Sequence, residues 1–311
     1  MFLLAAAAMP AAGGAAMPGP VLENTYLLVN GWEPLKRDGQ EQFRLVEADA
    51  SLHLPVLPWR APDGGADTGW AFPAWFTLHA AARMMDIPGT PIVTPTLNPS
   101  LNAGWFHAGP ADRWLAGVQG RLAHVTNAQT GPTLTPATDP PRPGVGRYNE
   151  RDGRFTTDNW RVTAVGRFRC GDGTGGAPRF LTVSQSYQRE IAGADGAAFG
   201  PLGPALQGWY PAARETTEIG WNGGLGACGA ALRGVLEATF EGRYATFRRH
   251  YANALVEGSL FPPLGGRGGG RLGAFARFQW GFDPSTILFT TKIHELVAGL
   301  VWTPAAGSGG S

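Results

Sequence analysis

Cysteine is nearly absent from this chain, with 2 among 311 residues, which excludes a disulfide-stapled scaffold. Charge is scarce too, at 16% of residues with a formal net charge of +1, so nothing points to a nucleic-acid partner. No uninterrupted apolar run reaches the ~18 residues that a membrane-crossing helix needs. Amphipathic segments of helical period are missing as well. The 46 glycines and 26 prolines argue against a helical protein altogether. What the chain does have is aromatic surface, with 11 Trp and 16 Phe.

The apolar residues alternate. In Trp114–Asn127 one parity carries Trp114, Ala116, Val118, Gly120 and Leu122, and the other Leu115, Gly117, Gln119, Arg121 and Ala123. An apolar face backed by a small or polar face is what the wall of a membrane barrel requires. Strand candidates recur along the chain: 23–30, 43–57, 70–85, 96–107, 114–126, 156–169, 179–191, 214–222, 232–248, a weaker 251–260, 271–282 and 290–302. Several exceed the ~5–6 residues common in soluble strands. Charges such as Glu47, Asp49, Arg121, Arg161, Arg167, Glu237, Glu241 and Arg277 fall on the parity opposite the apolar face, where a narrow bore would pair them. Trp70, Trp105, Trp114, Trp280 and Trp302 fall near strand ends, as an interfacial girdle does.

The expectation is an all-β, antiparallel transmembrane β-barrel of about 12 strands. The soluble alternative is a β-sandwich with the apolar face as its core. The barrel spans residues 23–304 as a single outer-membrane domain. Residues 1–20 read as a secretory signal or a disordered tail, and 305–311 (AAGSGGS) as a flexible tail. If the amino terminus starts in the periplasm, the turns holding Cys170 and Cys228 are neighbouring periplasmic turns, and a disulfide between them is expected. Two unpaired thiols are the alternative.

On the lipid-side parity, His124 and Thr126 stand at the end of the strand 114–126, where a polar pair has no structural reason to sit. Two residues apart on a strand, they share a face, so a proton can pass between them. His250 and His294 show no metal-ligand spacing. Gly265-Gly-Arg-Gly-Gly-Gly270 has no following helix and reads as a flexible turn.

Three segments carry a resemblance to the outer-membrane phospholipase A family. Thr96-Leu-Asn-Pro-Ser-Leu-Asn-Ala-Gly-Trp105 resembles its asparagine-rich strand, and Ala123-His-Val-Thr-Asn127 its His-x-Ser-Asn nucleophile strand. Phe278-Gln-Trp-Gly-Phe-Asp-Pro-Ser285, followed by Thr291–Trp302, is similar to its closing hairpin. The resemblance implies a twelve-stranded, calcium-dependent barrel in the outer membrane of a Gram-negative-type cell, with its active site on the outer wall. It implies Thr126 as nucleophile, His124 as general base and Asn159 as the group orienting the imidazole.

The chain departs from the family pattern in three places. Threonine replaces serine, and its extra methyl stiffens χ1 and crowds attack on an ester. Strand parity sends Asn159 inward. Asn127-Ala128-Gln129 replaces the family's Asn-Gly-Arg, whose arginine carbonyl helps bind calcium. These departures lead to the expectation of a catalytically degenerate barrel, a membrane anchor with membrane lipids around it and protein partners in the cell envelope or a homodimer. The alternative is a calcium-dependent phospholipase hydrolysing glycerophospholipid acyl esters from a threonine.

Overall fold

The computed structural model describes residues 25–29, 35–37, 40–42, 44–57, 69–85, 92–110, 113–127, 134–135, 147–148, 154–172, 178–191, 210–225, 228–240, 250–262, 271–282 and 292–303. Residues 1–20 and 305–311, expected to be leader and tail, lie outside the described residues, as does Glu241.

The barrel strands in chain order are β1 Thr25–Val29, β2 Arg44–Leu57, β3 Ala74–Met85, β4 Ile92–Ala108, β5 Trp114–Thr126, β6 Thr156–Asp172, β7 Pro178–Ile191, β8 Ala213–Leu225, β9 Cys228–Phe240, β10 His250–Phe261, β11 Arg271–Phe282 and β12 Lys292–Thr303. Each pairs antiparallel with the strand before and after it. The ring closes where β1 pairs with β12, Leu27 opposite Leu300. Closure removes every open strand edge, the condition for crossing a bilayer with strands. A short strand, Gly69–Ala71, extends the wall by pairing with the end of β4. Small hairpins, Leu35–Arg37 with Gln40–Gln42 and Leu134–Thr135 with Arg147–Tyr148, lie between barrel strands.

The expected strands are present, with shifted ends. The weak tenth candidate is a full strand, β10, and β4 begins at Ile92 rather than Thr96. β9 begins at Cys228 and ends at Phe240; 241–249 lie outside the described residues. The long connection 127–155 leaves at the end opposite the chain termini, called the loop end below. The two-residue link between Leu225 and Cys228 lies at the terminal end.

Exposure follows the apolar face. Along β11, Leu272, Ala274, Ala276, Phe278 and Trp280 are exposed, while Phe275 and Gln279 are buried. Leu232, Leu236, Val256, Leu260, Leu296 and Leu300 repeat this on β9, β10 and β12. A β-sandwich would bury these side chains against a second sheet; here they form the outer wall, as in a barrel facing lipid.

Inward-facing side chains pack and pair inside the bore. Phe261, Phe275, Val297 and Val301 pack together inside the terminal end, and Phe106, Ala108 and Leu115 form a second apolar cluster at that end. Above them the interior is polar and paired. Arg277 Nη2 lies 2.7 Å from Glu257 Oε2, Arg233 Nε 2.9 Å from Glu218 Oε1, and His79 Nε2 2.7 Å from Asp49 Oδ1. Inward charges in a narrow barrel need such partners, because an unpaired one would be desolvated at a cost of several kcal/mol.

The expected disulfide is corrected. Cys170 and Cys228 are both free thiols. Cys170 is on β6 and Cys228 on β9, with β7 and β8 between them. Three interstrand steps of ~4.8 Å each exceed the ~7 Å Cα separation that a disulfide can bridge.

Candidate active site

β5 and β6 pair over their whole length in unbroken register, from Thr126 opposite Thr156 to Trp114 opposite Phe168. Directly opposed residues share a face. On the outer wall this sets Thr126 beside Thr156 at the loop end, His124 beside Asp158 one row deeper, and Leu122 beside Trp160 below them. On β4, Leu97 is opposite Thr126 and Leu101 opposite Leu122, both exposed. A polar square is thus set into an apolar, lipid-facing surface.

Within the square, His124 Nδ1 lies 2.7 Å from Asp158 Oδ1. The imidazole and the carboxyl are 16% and 29% exposed, so the pair is partly withdrawn from solvent yet reachable from the wall. With Nδ1–H donating to the carboxylate, Nε2 is the ring atom left to take a proton. Thr126, two residues on along the same face, supplies the hydroxyl. The Thr156 hydroxyl is buried and has no hydrogen-bond partner.

Both expected reactive residues, Thr126 and His124, are where the alternation placed them. Asn159 is where parity sends it, on the inward face, and not beside His124 as the family resemblance required. It faces Ala123 across β5 and Glu190 across β7, is 4% exposed, and points into the bore. The side chain that stands beside His124 is Asp158, whose parity, shared with Trp160, Val162 and Ala164, is the signal that could have found it.

The odd-numbered residues of β6 hold the site from behind. Thr157 Oγ1 donates to Glu190 Oε2 at 2.9 Å, and Gln188 Nε2 to Glu190 Oε1 at 2.8 Å. Arg161 Nε donates to Gln188 Oε1 at 3.0 Å. The long connection leaves the wall through a clamp: Phe155 N–H donates to Asn127 Oδ1 at 2.9 Å, and Asn127 N–H donates to the Phe155 carbonyl. Both residues are fully buried, and the Phe155 ring packs 4.9 Å from that of Tyr210. A buried polar network with its partners in place fixes a strand pair well, which keeps Asp158 aimed at His124.

No cluster of three or more His, Cys, Asp or Glu side chains able to hold a metal occurs among the described residues. Asn127, next to Thr126, spends its carboxamide oxygen on the loop clamp.

Fold and site together define a transmembrane β-barrel of the outer-membrane kind that carries a Thr–His–Asp constellation on its lipid-facing wall. Its architecture is that of outer membrane phospholipase A. The Escherichia coli enzyme superposes with a TM-score of 0.51 at 13% identity, over 93% of this chain and 95% of that one. A Salmonella typhi outer membrane phospholipase, solved as a dimer with bound calcium, gives a TM-score of 0.50 at 13% identity over 91% of each chain. No family model matches the sequence, and no curated protein matches it. The shared feature is the fold.

Proposed function

We propose that this barrel is an outer-membrane acyl-ester hydrolase acting on glycerophospholipids, with Thr126 as nucleophile, His124 as general base and Asp158 as orienting group. The observation that carries the reading is the 2.7 Å contact between His124 Nδ1 and Asp158 Oδ1 on the lipid-facing wall, with the Thr126 hydroxyl on the same face. The inward turn of Asn159, the departure that favoured a degenerate barrel, no longer counts against catalysis once Asp158 takes its place.

The chemistry follows from the arrangement. Thr126 Oγ1 attacks the ester carbonyl carbon as its proton passes to His124 Nε2. Asp158 accepts the Nδ1–H bond and stabilises the imidazolium. The carbonyl–oxygen bond to the glycerol then breaks, and the glycerol oxygen takes the proton from His124. Water, deprotonated by the same imidazole, hydrolyses the acyl-threonine and releases the fatty acid. Leu97, Leu101, Leu122 and Trp160 surround the square with apolar wall, a surface on which acyl chains lie without desolvation cost.

Calcium is bound in the Salmonella phospholipase. No step above is routed through it, and chelation tests it separately. The Salmonella protein is also a dimer, so a homodimer is part of the proposal, read by crosslinking in detergent. The second reading, a non-hydrolytic anchor, rests on the threonine at position 126, whose methyl hinders attack.

The test is fatty-acid release from a fluorogenic phospholipid in mixed micelles, compared with His124→Ala and Thr126→Val. Release lost in both variants supports the hydrolase. A folded barrel with no release above either variant leaves the anchor.

A further inference from the structure

Acyl transfer from an ester needs more than a nucleophile, a base and an orienting acid. The carbonyl oxygen becomes an oxyanion as the hydroxyl adds, and a donor aimed at that oxygen is often the largest single contribution to the rate. A frequent choice is the backbone amide that follows the nucleophile. Here that amide is spent. Asn127 N–H donates to the Phe155 carbonyl, and Phe155 N–H donates to Asn127 Oδ1. The loop clamp thus consumes both amides that flank the polar square.

One donor of the square is unspent. Thr156 stands directly opposite Thr126 across the β5–β6 ladder, on the outward parity that also carries Asp158 and Trp160. Its Oγ1 is shut off from solvent and makes no hydrogen bond, although the residue as a whole is only half-buried. His124 and Asp158, one row deeper, are already joined to each other. An unpartnered buried hydroxyl is a costly state, and the acyl chains of a lipid-facing wall offer it no acceptor.

We propose that the Thr156 hydroxyl is the oxyanion donor of this site, an assignment that rests on the proposed hydrolase. Directly opposed residues on one sheet face hold their Cβ atoms ~4.5–5.5 Å apart. The oxygen that turns negative is bound to the carbon that Thr126 Oγ1 attacks, so it falls within that span. Strand residues commonly occupy either of two χ1 wells, and a single χ1 step moves the hydroxyl out of its covered position. The clamp that spends the amides also fixes the two threonines: Asn127 follows Thr126, Phe155 precedes Thr156, and both clamp residues are fully buried. As Thr126 Oγ1 bonds to the carbonyl carbon, the carbonyl π pair moves onto oxygen. Thr156 Oγ1–H donates to that oxygen and keeps its proton. When the pair returns, the bond to the glycerol oxygen breaks. A contact made at the oxyanion and absent from the resting wall lowers the barrier rather than tightening substrate binding.

The experiment compares wild type with Thr156→Val, which keeps the branched shape and removes the hydroxyl, and with Thr156→Ser, which keeps the hydroxyl. Fatty-acid release in mixed micelles gives kcat and KM, and heat-induced gel mobility gives stability. A long-chain alkylphosphonofluoridate supplies a third readout, its labelling rate followed by intact mass and its position by peptide mapping. In that labelling Thr126 Oγ1 bonds to phosphorus, fluoride leaves and His124 takes the proton, while the phosphoryl oxygen stands in for the oxyanion. Thr156→Val is expected to lower kcat about 10²–10³-fold, the effect of one lost oxyanion donor, with KM little changed and labelling slowed. Its barrel is expected to be at least as stable as the wild type, because valine buries no unpaired hydroxyl. Thr156→Ser is expected to recover most of the kcat. An unchanged kcat in Thr156→Val overturns the donor and leaves the hydrolase standing. A fall in kcat that tracks a fall in stability, and that serine does not rescue, overturns it as well. A wild type that releases no fatty acid yet is labelled at Thr126 removes turnover alone: slower labelling of Thr156→Val then upholds the donor, and equal labelling overturns it. No release and no labelling removes both.

Discussion

Asp158 faces His124 directly across the β5–β6 ladder, and its Oδ1 stands 2.7 Å from the imidazole Nδ1. The neighbouring Asn159 carboxamide points the other way, into the bore. The two therefore answer differently to substitution. Asp158→Ala is expected to lower kcat by about 10²–10⁴-fold with the barrel intact, the range over which loss of an orienting carboxylate acts. Asn159→Ala is expected to lower resistance to unfolding, because it disturbs the buried layer beside Glu190. Steady-state hydrolysis alongside heat-induced gel mobility separates the two effects. A fall in kcat for Asn159→Ala that matches the one for Asp158→Ala would return the orienting role to the asparagine.

Thr126→Ser is expected to raise kcat. The threonine methyl restricts χ1 and crowds the approach of an ester, while the serine hydroxyl reaches the same imidazole without that obstruction. A gain of about tenfold corresponds to ~1.4 kcal/mol off the barrier. Turnover of a short-chain phospholipid by the two proteins, normalised to folded barrel, measures it. Slower turnover by the serine variant would mean that the methyl helps to place the hydroxyl, and that the wall has adapted to threonine.

Much of the fold is legible in the sequence because a period of two survives in long segments such as Trp114–Thr126 and Arg271–Phe282, and because charges keep to one parity. Strand ends are less legible. Gly and Pro punctuate β4 and its surroundings without stopping the ladder, and β9 and β10 meet across a segment with no sharp turn signal. The site was half legible. His124 and Thr126 lie on one strand, so their shared face follows from spacing alone. Asp158 enters through the β5–β6 register, which the 29 residues of connection 127–155 separate from β5 in sequence. The cysteines fail for a related reason: adjacency of turns at one end of a barrel is not adjacency of strands.

The outward parity of β9 offers a test of the membrane wall itself. Leu236 is 65% exposed in the middle of Cys228–Phe240. Leu236→Arg is expected to cost about 2–4 kcal/mol if that position lies near the bilayer midplane. On a soluble sheet, a charged residue at a position this exposed would change stability by no more than ~0.5 kcal/mol. Urea unfolding in lipid vesicles and in detergent micelles reads the difference, and a neutral result in vesicles would place β9 away from lipid.

Glu257 is 3% exposed and bonded to Arg277 on the neighbouring strand, with Nη2 2.7 Å and Nε 2.8 Å from the same Oε2. Removing the acid strands a buried guanidinium, so Glu257→Ala is expected to lose ~3–5 kcal/mol. The double variant Glu257→Leu, Arg277→Met removes both charges and should recover most of that loss, because no unpaired ion remains. The urea midpoints of wild type, single and double variants form the comparison. A single variant as stable as the wild type would show that water already reaches this part of the bore.

Tyr210, just before β8 and outside the spanning strands, packs against Phe155 and accepts a hydrogen bond from Arg214 Nη2. Burial pushes its phenol above the ordinary 10.0; Arg214 opposes the rise, and Glu190 and Glu237 add to it. The folded chain therefore holds the phenolic proton at a pH where the unfolded chain has released it. This contribution to stability is fully present below pH ~10 and is lost as pH climbs from there toward the raised folded value. The slope approaches ~1.4 kcal/mol per pH unit. Tyr210→Phe removes the titrating group, so its unfolding free energy should fall less steeply than that of the wild type between about pH 9 and about pH 11. The lost hydrogen bond to Arg214 lowers stability by a constant amount and does not change that slope. Parallel curves for the two proteins would mean that the phenol is already in contact with water at the mouth of the barrel.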